Sequence, residues 1–260
     1  MTDNLLLQLV VNGLILGTLY GVVAMCFTLI YKASQVVNFA QGEFLLIGAW
    51  VCWWLLADLG LPLWIGFPVT LQVVVLRPMI GEPIISVIMV TVGLSIFFQA
   101  MMKWIFGVIV QPFPPIFAAQ TVSVLGLNVQ PAYLMSLVVS LVIMGGFAVF
   151  FKYSRLGLAM RATAFNQQVA QSLGISVQKM FALSWAISAM VSSLAGVVFG
   201  IVNGVSSALS LFGIKVFPAV ILGGLDSIVG AIVGGLIIGV LENVAQYVDS
   251  QWLHIGNLYN

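Results

Sequence analysis

Charged side chains are scarce in this chain. Its 260 residues include only eight Lys and Arg and seven Asp and Glu residues, or 6% charged residues, where a soluble domain has about 25%. This shortage excludes an ordinary soluble domain. The formal net charge of +1 gives no electrostatic basis for binding nucleic acid.

Histidine and cysteine are equally rare. His254 has no neighbouring Cys or His, and Cys26 and Cys52 lie in apolar stretches without a CxxC motif, so we expect buried thiols and no metal site. The chain has no HExxH, no Ser/His/Asp set and no GxxxxGK[ST] loop, and therefore no P-loop for ATP. These absences predict a chain that is not an enzyme and holds no cofactor of its own.

Apolar residues dominate what is present. Hydrophobic residues make up 62% of the chain and the mean hydropathy is +1.19. Several apolar runs approach or exceed the ~20 residues that cross a bilayer as a helix. The pattern predicts an all-α polytopic transmembrane bundle, with residues 1–260 as a single domain. The predicted crossings are residues 5–31, 44–56, 62–76, 84–107, 132–151, 180–202 and 228–248.

Some apolar segments are too short to span a membrane. Residues 44–56 would cover about 20 Å as a helix and follow a polar stretch, and residues 213–222 run into Gly-Gly-Leu-Asp. Two readings stay open: broken helices beside a transport path, or ordinary loops at the membrane surface. Residues 62–76 are also short and contain Pro68. The candidate path residues are Asn12, Asn38, Gln41, Glu43 and Asn203.

Glycines recur at every fourth position in several apolar runs. Small residues at this spacing let helix backbones approach closely in lipid. Packing inside the chain is therefore the expected role of Gly13, Gly17, Gly21, Gly196, Gly200, Gly230 and Gly234.

Residues 152–179 form a basic segment between two apolar runs. Half of the basic residues of the chain lie here: Lys152, Arg155, Arg161 and Lys179. The positive-inside rule places this loop in the cytosol. Alternating the crossings from that point puts the N-terminus outside.

The same loop is patterned like helical structure. Residues 156–163 can continue the preceding membrane helix, and residues 166–173 can form a short helix with Val169 and Leu173 on one face. Gly174 suits the left-handed position that ends a helix. The pattern favours a knob that docks into a groove of another protein, and a merely solvated loop is the alternative.

Five stretches in order resemble permeases of the branched-chain amino-acid type of ABC importer. They are QLVVNGLILGTLYG in the first run, VNFAQGE, RPMIGEP, the segment RATAFNQQVAQSLGI with its following LAG, and FPAVILGGLDSIVGAIVGGL. They cover most of the chain and resemble the first permease of the pair in such systems. Departures are a missing acidic residue near Phe165 and the lack of a further helix after Glu242.

The resemblance implies a bacterial inner-membrane, multi-pass subunit that lines half of a path for a small neutral or zwitterionic solute. It implies a second homologous permease, a periplasmic solute-binding protein and two cytosolic subunits that bind ATP and Mg. The family's coupling segment falls on Arg161, Ala164, Phe165, Gln168, Ala170, Leu173 and Gly174.

The substrate stays open at this stage. Branched-chain or other neutral amino acids fit the resemblance, and urea or short amides are carried by related permeases. The rival class is a self-sufficient channel or secondary transporter. It would need ion ligands inside the membrane, which Glu43, Asp226 and Glu242 would have to supply.

Overall fold

The computed structural model describes residues 2–35, 37–57, 84–114, 122–124 and 127–249. The predicted crossing 62–76, the RPMIGEP motif and His254 lie outside the described residues. The elements are α1 Thr2–Ser34, α2 Gln41–Ala57, α3 Ile84–Phe106, β1 Val122–Val124, β2 Leu127–Val129, α4 Pro131–Tyr153, α5 Arg155–Phe165, α6 Gln167–Ser172, α7 Val177–Asn203, α8 Leu209–Gly223 and α9 Ile228–Val248.

Within these residues, five helices are long and apolar enough to cross a membrane. They are Gln8–Ser34, Met89–Phe106, Pro131–Tyr153, Val177–Asn203 and Ile228–Val248. The predicted helical membrane bundle is thus confirmed. The sequence did not predict the antiparallel β1–β2 hairpin between α3 and α4, where Val122 pairs with Val129.

Helix α1 is the central element of the bundle. Of its apolar span, 89% is buried, against 11% for α3, because α9, α7, α4 and α8 all pack on it. Glycines allow the α1–α9 contact: a Cβ on Gly13 or Gly17 would lie 2.8 Å from the Cα of Val240 or Leu236. A larger residue at either position would push the two backbones apart.

Contacts along the helices define two ends of the bundle. Helices α1 and α4 run in the same direction, since Ile15 packs near Tyr133 and the Lys32 Nζ lies 6.0 Å from the Phe151 ring. Helix α9 runs opposite to α1, and α7 returns from α6. We call the end with the β1–β2 hairpin the hairpin end, and the end with α5 and α6 the elbow end.

Helices α2 and α8 both begin inside the bundle. After α1, Gln35 adopts a positive φ of 57°, and the chain turns back so that α2 starts at a fully buried Gln41. The N-termini of α2 and α8 meet there, because a Cβ on Gly213 would lie 2.5 Å from the backbone N of Gly42.

The two short helices diverge from this meeting point. Helix α2 runs to the hairpin end, where the Trp53 Nε1 donates a 3.0 Å hydrogen bond to the Pro112 carbonyl. Helix α8 runs the other way, with the Phe217 ring 6.2 Å from the rings of Phe27 and Phe39. These are the broken helices that the short apolar runs predicted, and their buried termini exclude ordinary surface loops.

Candidate translocation path and docking surface

A polar cavity of about 310 Å³ opens at the hairpin end. Helices α1, α4, α7, α8 and α9 all contribute to its wall. The polar and charged lining residues are Asn12, Tyr20, Tyr133, Ser136, Asn203, Lys215, Glu242, Asn243 and Gln246. Two of the predicted path residues, Asn12 and Asn203, therefore line one cavity although they are far apart in the sequence.

An ion pair lies in the wall of this cavity. The Lys215 Nζ is 3.4 Å from the Glu242 Oε1, and the Lys215 side chain is 61% exposed against 25% for Glu242. The Tyr20 hydroxyl donates to the other oxygen, Glu242 Oε2. Glu242 is thus held from two sides, whereas Lys215 is held by its one charged contact.

Stacked aromatic rings border the cavity toward the middle of the bundle. The rings of Tyr20 and Phe212 are stacked with centroids 4.6 Å apart, and the Phe199 ring lies 4.4 Å from Phe212. Aromatic pairs at these distances are favourable contacts. Phe212 and Phe199 come from α8 and α7, so relative movement of these helices would change this border.

The other predicted path residues do not line the cavity. Gln41 is fully buried, and its amide donates to the hydroxyls of Ser188, at 3.1 Å, and Ser192. The Asn38 amide donates to the Gln41 Oε1 at 3.2 Å, while the Ser188 hydroxyl also contacts the Cys26 carbonyl at 3.2 Å. We call Asn38, Gln41, Ser188 and Ser192 the Gln41 cluster. It joins α1, α2 and α7 in the core and is not an open passage.

Glu43 lies beside this cluster, in the first turn of α2. Its Oε1 accepts a 3.0 Å hydrogen bond from the Ser95 hydroxyl, and its buried Oε2 has no hydrogen-bond partner among the described residues. The N-terminus of a helix favours a nearby negative charge. No group of three His, Cys, Asp or Glu side chains able to hold a metal occurs in the described part of the chain.

Several residues of these sites were not predicted. Lys215, Tyr20 and Phe212 gave no local signal, because the cavity is formed by helices that are distant in sequence. Ser184, Ser188 and Ser192 did carry one: hydroxyls at every fourth position of an apolar helix mark a polar stripe that faces another helix.

The elbow end has a different construction, with two helices, α5 and α6, that are each capped by the side chain before them. Ser154 accepts from the Gly157 N–H at 2.8 Å and Asn166 from the Val169 N–H at 3.1 Å, so each begins a helix. The predicted continuation of the membrane helix through residues 156–163 is therefore wrong: α4 ends at Tyr153 and α5 starts anew after Ser154.

The second predicted helix of the loop corresponds to α6. Asn166 caps it, and Gly174 follows with φ of +81°, the left-handed conformation that glycine adopts without strain. A Cβ at Gly174 would meet open space, so only its backbone conformation disfavours another residue there.

Apolar side chains are exposed on this elbow. Phe165 is 95% exposed, Leu173 72% and Val169 53%; we call these three residues the elbow face. Gln168 is exposed beside them. None of these four residues is charged, so the contacts of the elbow face itself rest on shape and apolar area.

Two members of the predicted docking set point elsewhere. Ala170 is buried at 1% exposure, so it supports α6 from inside and cannot itself touch a partner. The Arg161 guanidinium donates to the Lys152 carbonyl at 3.1 Å and lies 5.8 Å from the Phe151 ring. Arg161 therefore braces the junction between α4 and α5. Ala164, near the end of α5, is half-buried.

Comparison with known families identifies this architecture. The family model described as the branched-chain amino acid transport system permease component matches residues 9–255. The chain belongs to this family. The permease is accordingly a multi-pass membrane protein and a component of a transport system, and it is not an enzyme.

Curated relatives of the permease are similar over nearly its whole length. The high-affinity branched-chain amino acid transport system permease protein LivH of Escherichia coli is 29% identical, covering 95% of this chain and 88% of that protein. The corresponding BraD of Pseudomonas aeruginosa is 32% identical, covering 91% and 85%. A probable LivH of Methanocaldococcus jannaschii is 28% identical, covering 91% and 80%. No solved structure matches the permease significantly.

Proposed function

We propose that this permease is one of two membrane subunits of an ABC importer for branched-chain amino acids in a bacterial inner membrane. The observation that carries the proposal is the arrangement of its two ends. A polar recess of solute size lies at the hairpin end, and an exposed apolar face protrudes at the elbow end. The names of the curated relatives supply the substrate class.

The distribution of basic residues supports one orientation. Lys152, Arg155, Arg161 and Lys179 all belong to the elbow end, which the positive-inside rule assigns to the cytosol. The hairpin end then faces the periplasm. A periplasmic binding protein would deliver the solute to the cavity, and the second permease would complete the path.

The elbow face is the proposed contact with one of the two cytosolic subunits that bind ATP and Mg. Movement of the elbow face would be transmitted to the membrane-spanning part of the chain through α7. Only four residues separate α6 from α7, and the Ser176 hydroxyl caps the first turn of α7. At the far end, α7 supplies Phe199 and Asn203 to the cavity. One 27-residue helix therefore joins the docking surface to the solute recess.

Reconstitution tests this proposal. The chain, its second permease, both ATPase subunits and the binding protein are placed in proteoliposomes, and uptake of radiolabelled leucine is followed. We expect uptake that needs ATP and resists ionophores. Uptake of urea or acetamide without uptake of leucine would favour the amide permeases. Leucine uptake that needs no ATP and is abolished by an ionophore would favour a secondary transporter. Either result would contradict the proposal.

Sided labelling tests the orientation. Cys26 and Cys52 are buried, so their background labelling is low. A membrane-impermeant thiol reagent added to intact cells should label Gln246→Cys and leave Asn166→Cys unlabelled, with the reverse in inverted vesicles. Labelling of Asn166→Cys in intact cells would contradict both the orientation and the docking role.

A further inference from the structure

The cavity presents a cation and an anion side by side. Lys215 and Glu242 come from different helices, yet their charged groups meet 3.4 Å apart in the cavity wall. Charged residues inside membrane bundles are rare and usually functional. A stabilising role alone is weak, because a pair this exposed contributes little to stability.

The two charges differ in how firmly they are held. Glu242 accepts the Tyr20 hydroxyl on the oxygen that does not face Lys215, so its carboxylate keeps its place if the lysine leaves. Lys215 carries its ammonium on a flexible stem. A solute that brings its own ammonium and carboxylate can therefore replace each partner of the pair without leaving a charge uncompensated.

Apolar side chains line the same cavity as this pair. Ile15, Leu16, Leu19, Phe199 and Val202 line the same cavity. Its volume of about 310 Å³ stands at the lower limit of small-molecule pockets, which begin near ~300 Å³. The cavity thus suits one small solute with a charged end and an apolar end.

Amide groups provide further polar contacts. The side chain of Asn12, within α1, forms no hydrogen bond to another described residue, and the side-chain amide of Asn203 reaches only the Phe199 carbonyl, at 3.5 Å. Both line the cavity beside the charged pair. Their unused donors and acceptors can bind the polar end of a solute together with Lys215 and Glu242.

We propose that this cavity is a binding site for a zwitterionic α-amino acid. Glu242 binds the α-ammonium, Lys215 binds the α-carboxylate, and the apolar wall holds an aliphatic side chain. This inference rests on the proposed transport function, and it names the residues that select the solute.

Equilibrium binding to the full transporter without its binding protein tests the site. The probe is radiolabelled leucine, and the competitors are leucinamide, which lacks the carboxylate, and 4-methylpentanoate, which lacks the ammonium. Because hydrogen bonds to charged groups are the stronger ones, each analogue should bind roughly 10-fold to 100-fold more weakly than leucine to the unmodified transporter.

Each variant should remove one preference. Lys215→Gln should bind leucine no better than leucinamide, and Glu242→Gln should bind it no better than 4-methylpentanoate. Each variant should bind its respective analogue at least as tightly as the unmodified transporter does, because the analogue no longer has to separate the ion pair. General misfolding would weaken all ligands together. The matched controls are Lys103→Gln and Asp226→Asn, which remove exposed charges outside the cavity and should keep both preferences.

The outcomes separate this inference from the proposed function. Suppose that the unmodified transporter imports leucine. If both cavity variants then keep the full preference for leucine over the analogues, or if the transporter binds no leucine without its binding protein, the proposed zwitterion site is wrong, while the import function stands. If the transporter does not import leucine at all, the proposed function fails, and this inference fails with it.

Discussion

The two ends of this permease present opposite surfaces. The hairpin end is a recess that contains a charged pair and several amides, whereas the elbow end protrudes and exposes Phe165, Val169 and Leu173. A recess of about 310 Å³ admits a small solute and no protein. The elbow face itself is apolar and uncharged, so it has little to offer a small polar solute, but it fits a groove on a partner protein.

The core between the ends is buried and cross-linked by side-chain hydrogen bonds. The Gln41 cluster and the meeting N-termini of α2 and α8 lie there, and Asn38, Gln41 and Glu43 are buried and do not line the cavity at the hairpin end. Substitutions in the core should therefore mainly affect assembly and stability. Substitutions at the hairpin end should affect solute binding, and those at the elbow end should affect docking of the ATPase.

The largest effect should come from Gly42→Val in the core. A Cβ at Gly42 would collide with the Ser210 carbonyl, and overpacking between backbones costs about 3 kcal/mol or more. We expect loss of the folded complex in size-exclusion chromatography. Gly145→Val is the matched control, because a Cβ there meets open space. Normal assembly of Gly42→Val would show that α2 and α8 do not need this contact.

The next effect should appear at the elbow end with Phe165→Asp. Removing a fully exposed aromatic anchor and adding a charge should weaken ATPase binding by about 30-fold, as for hot-spot residues worth about 2 kcal/mol. Co-purification of the ATPase subunits measures this. Trp104→Asp serves as control, since Trp104 is 87% exposed on α3 near the hairpin end. If both variants retained the ATPase subunits equally well, the claim that the elbow end, and not the hairpin end, docks the ATPases would be contradicted.

Gln41→Leu should destabilise the core without changing either surface. It leaves the Asn38 amide and the Ser192 hydroxyl without their partner, which costs about 2 kcal/mol in total. Thermal unfolding of the detergent-solubilised complex should show a lower midpoint. Ser192→Ala deletes only one of these contacts and should cost less. A larger loss for Ser192→Ala would contradict the central place given to Gln41.

The smallest effect on stability should be that of Glu43→Gln. The amide oxygen can still accept from Ser95, and one uncompensated charge leaves the first turn of α2, so the change should be below about 1 kcal/mol. We predict intact assembly with reduced leucine uptake, because the variant loses the negative charge that favours the N-terminus of α2, where the broken helices meet. Full uptake by this variant would remove Glu43 from the mechanism.

Local patterns in the sequence predicted the parts of this fold that depend on local chemistry. Apolar length predicted the membrane helices, the four-residue glycine spacing corresponds to the close α1–α9 contact at Gly13 and Gly17, and Gly174 has the expected left-handed backbone. The helix break at Ser154 was missed. Its signal was present, because a serine three residues before Gly157 is a potential cap.

The candidate sites depended on contacts between distant segments. Asn38, Gln41 and Glu43 were grouped with Asn12 and Asn203 as path residues, yet only the last two line the cavity. Periodicity cannot distinguish a polar residue that joins two helices from one that faces a cavity. The pairing of Lys215 with Glu242, 27 residues apart, depends on how α8 and α9 pack.

Coupling between the two ends is the central claim, and solute-stimulated ATP hydrolysis measures it. In Gly174→Val the left-handed position strains a side chain by ~1 kcal/mol or more, which should misplace α6 and the elbow face while leaving the membrane helices inserted. With loaded binding protein and leucine, the reconstituted wild-type transporter should hydrolyse ATP faster, and Gly174→Val should show only its basal rate. Wild-type stimulation in this variant would contradict the account, because the elbow would then not link ATP hydrolysis to the cavity.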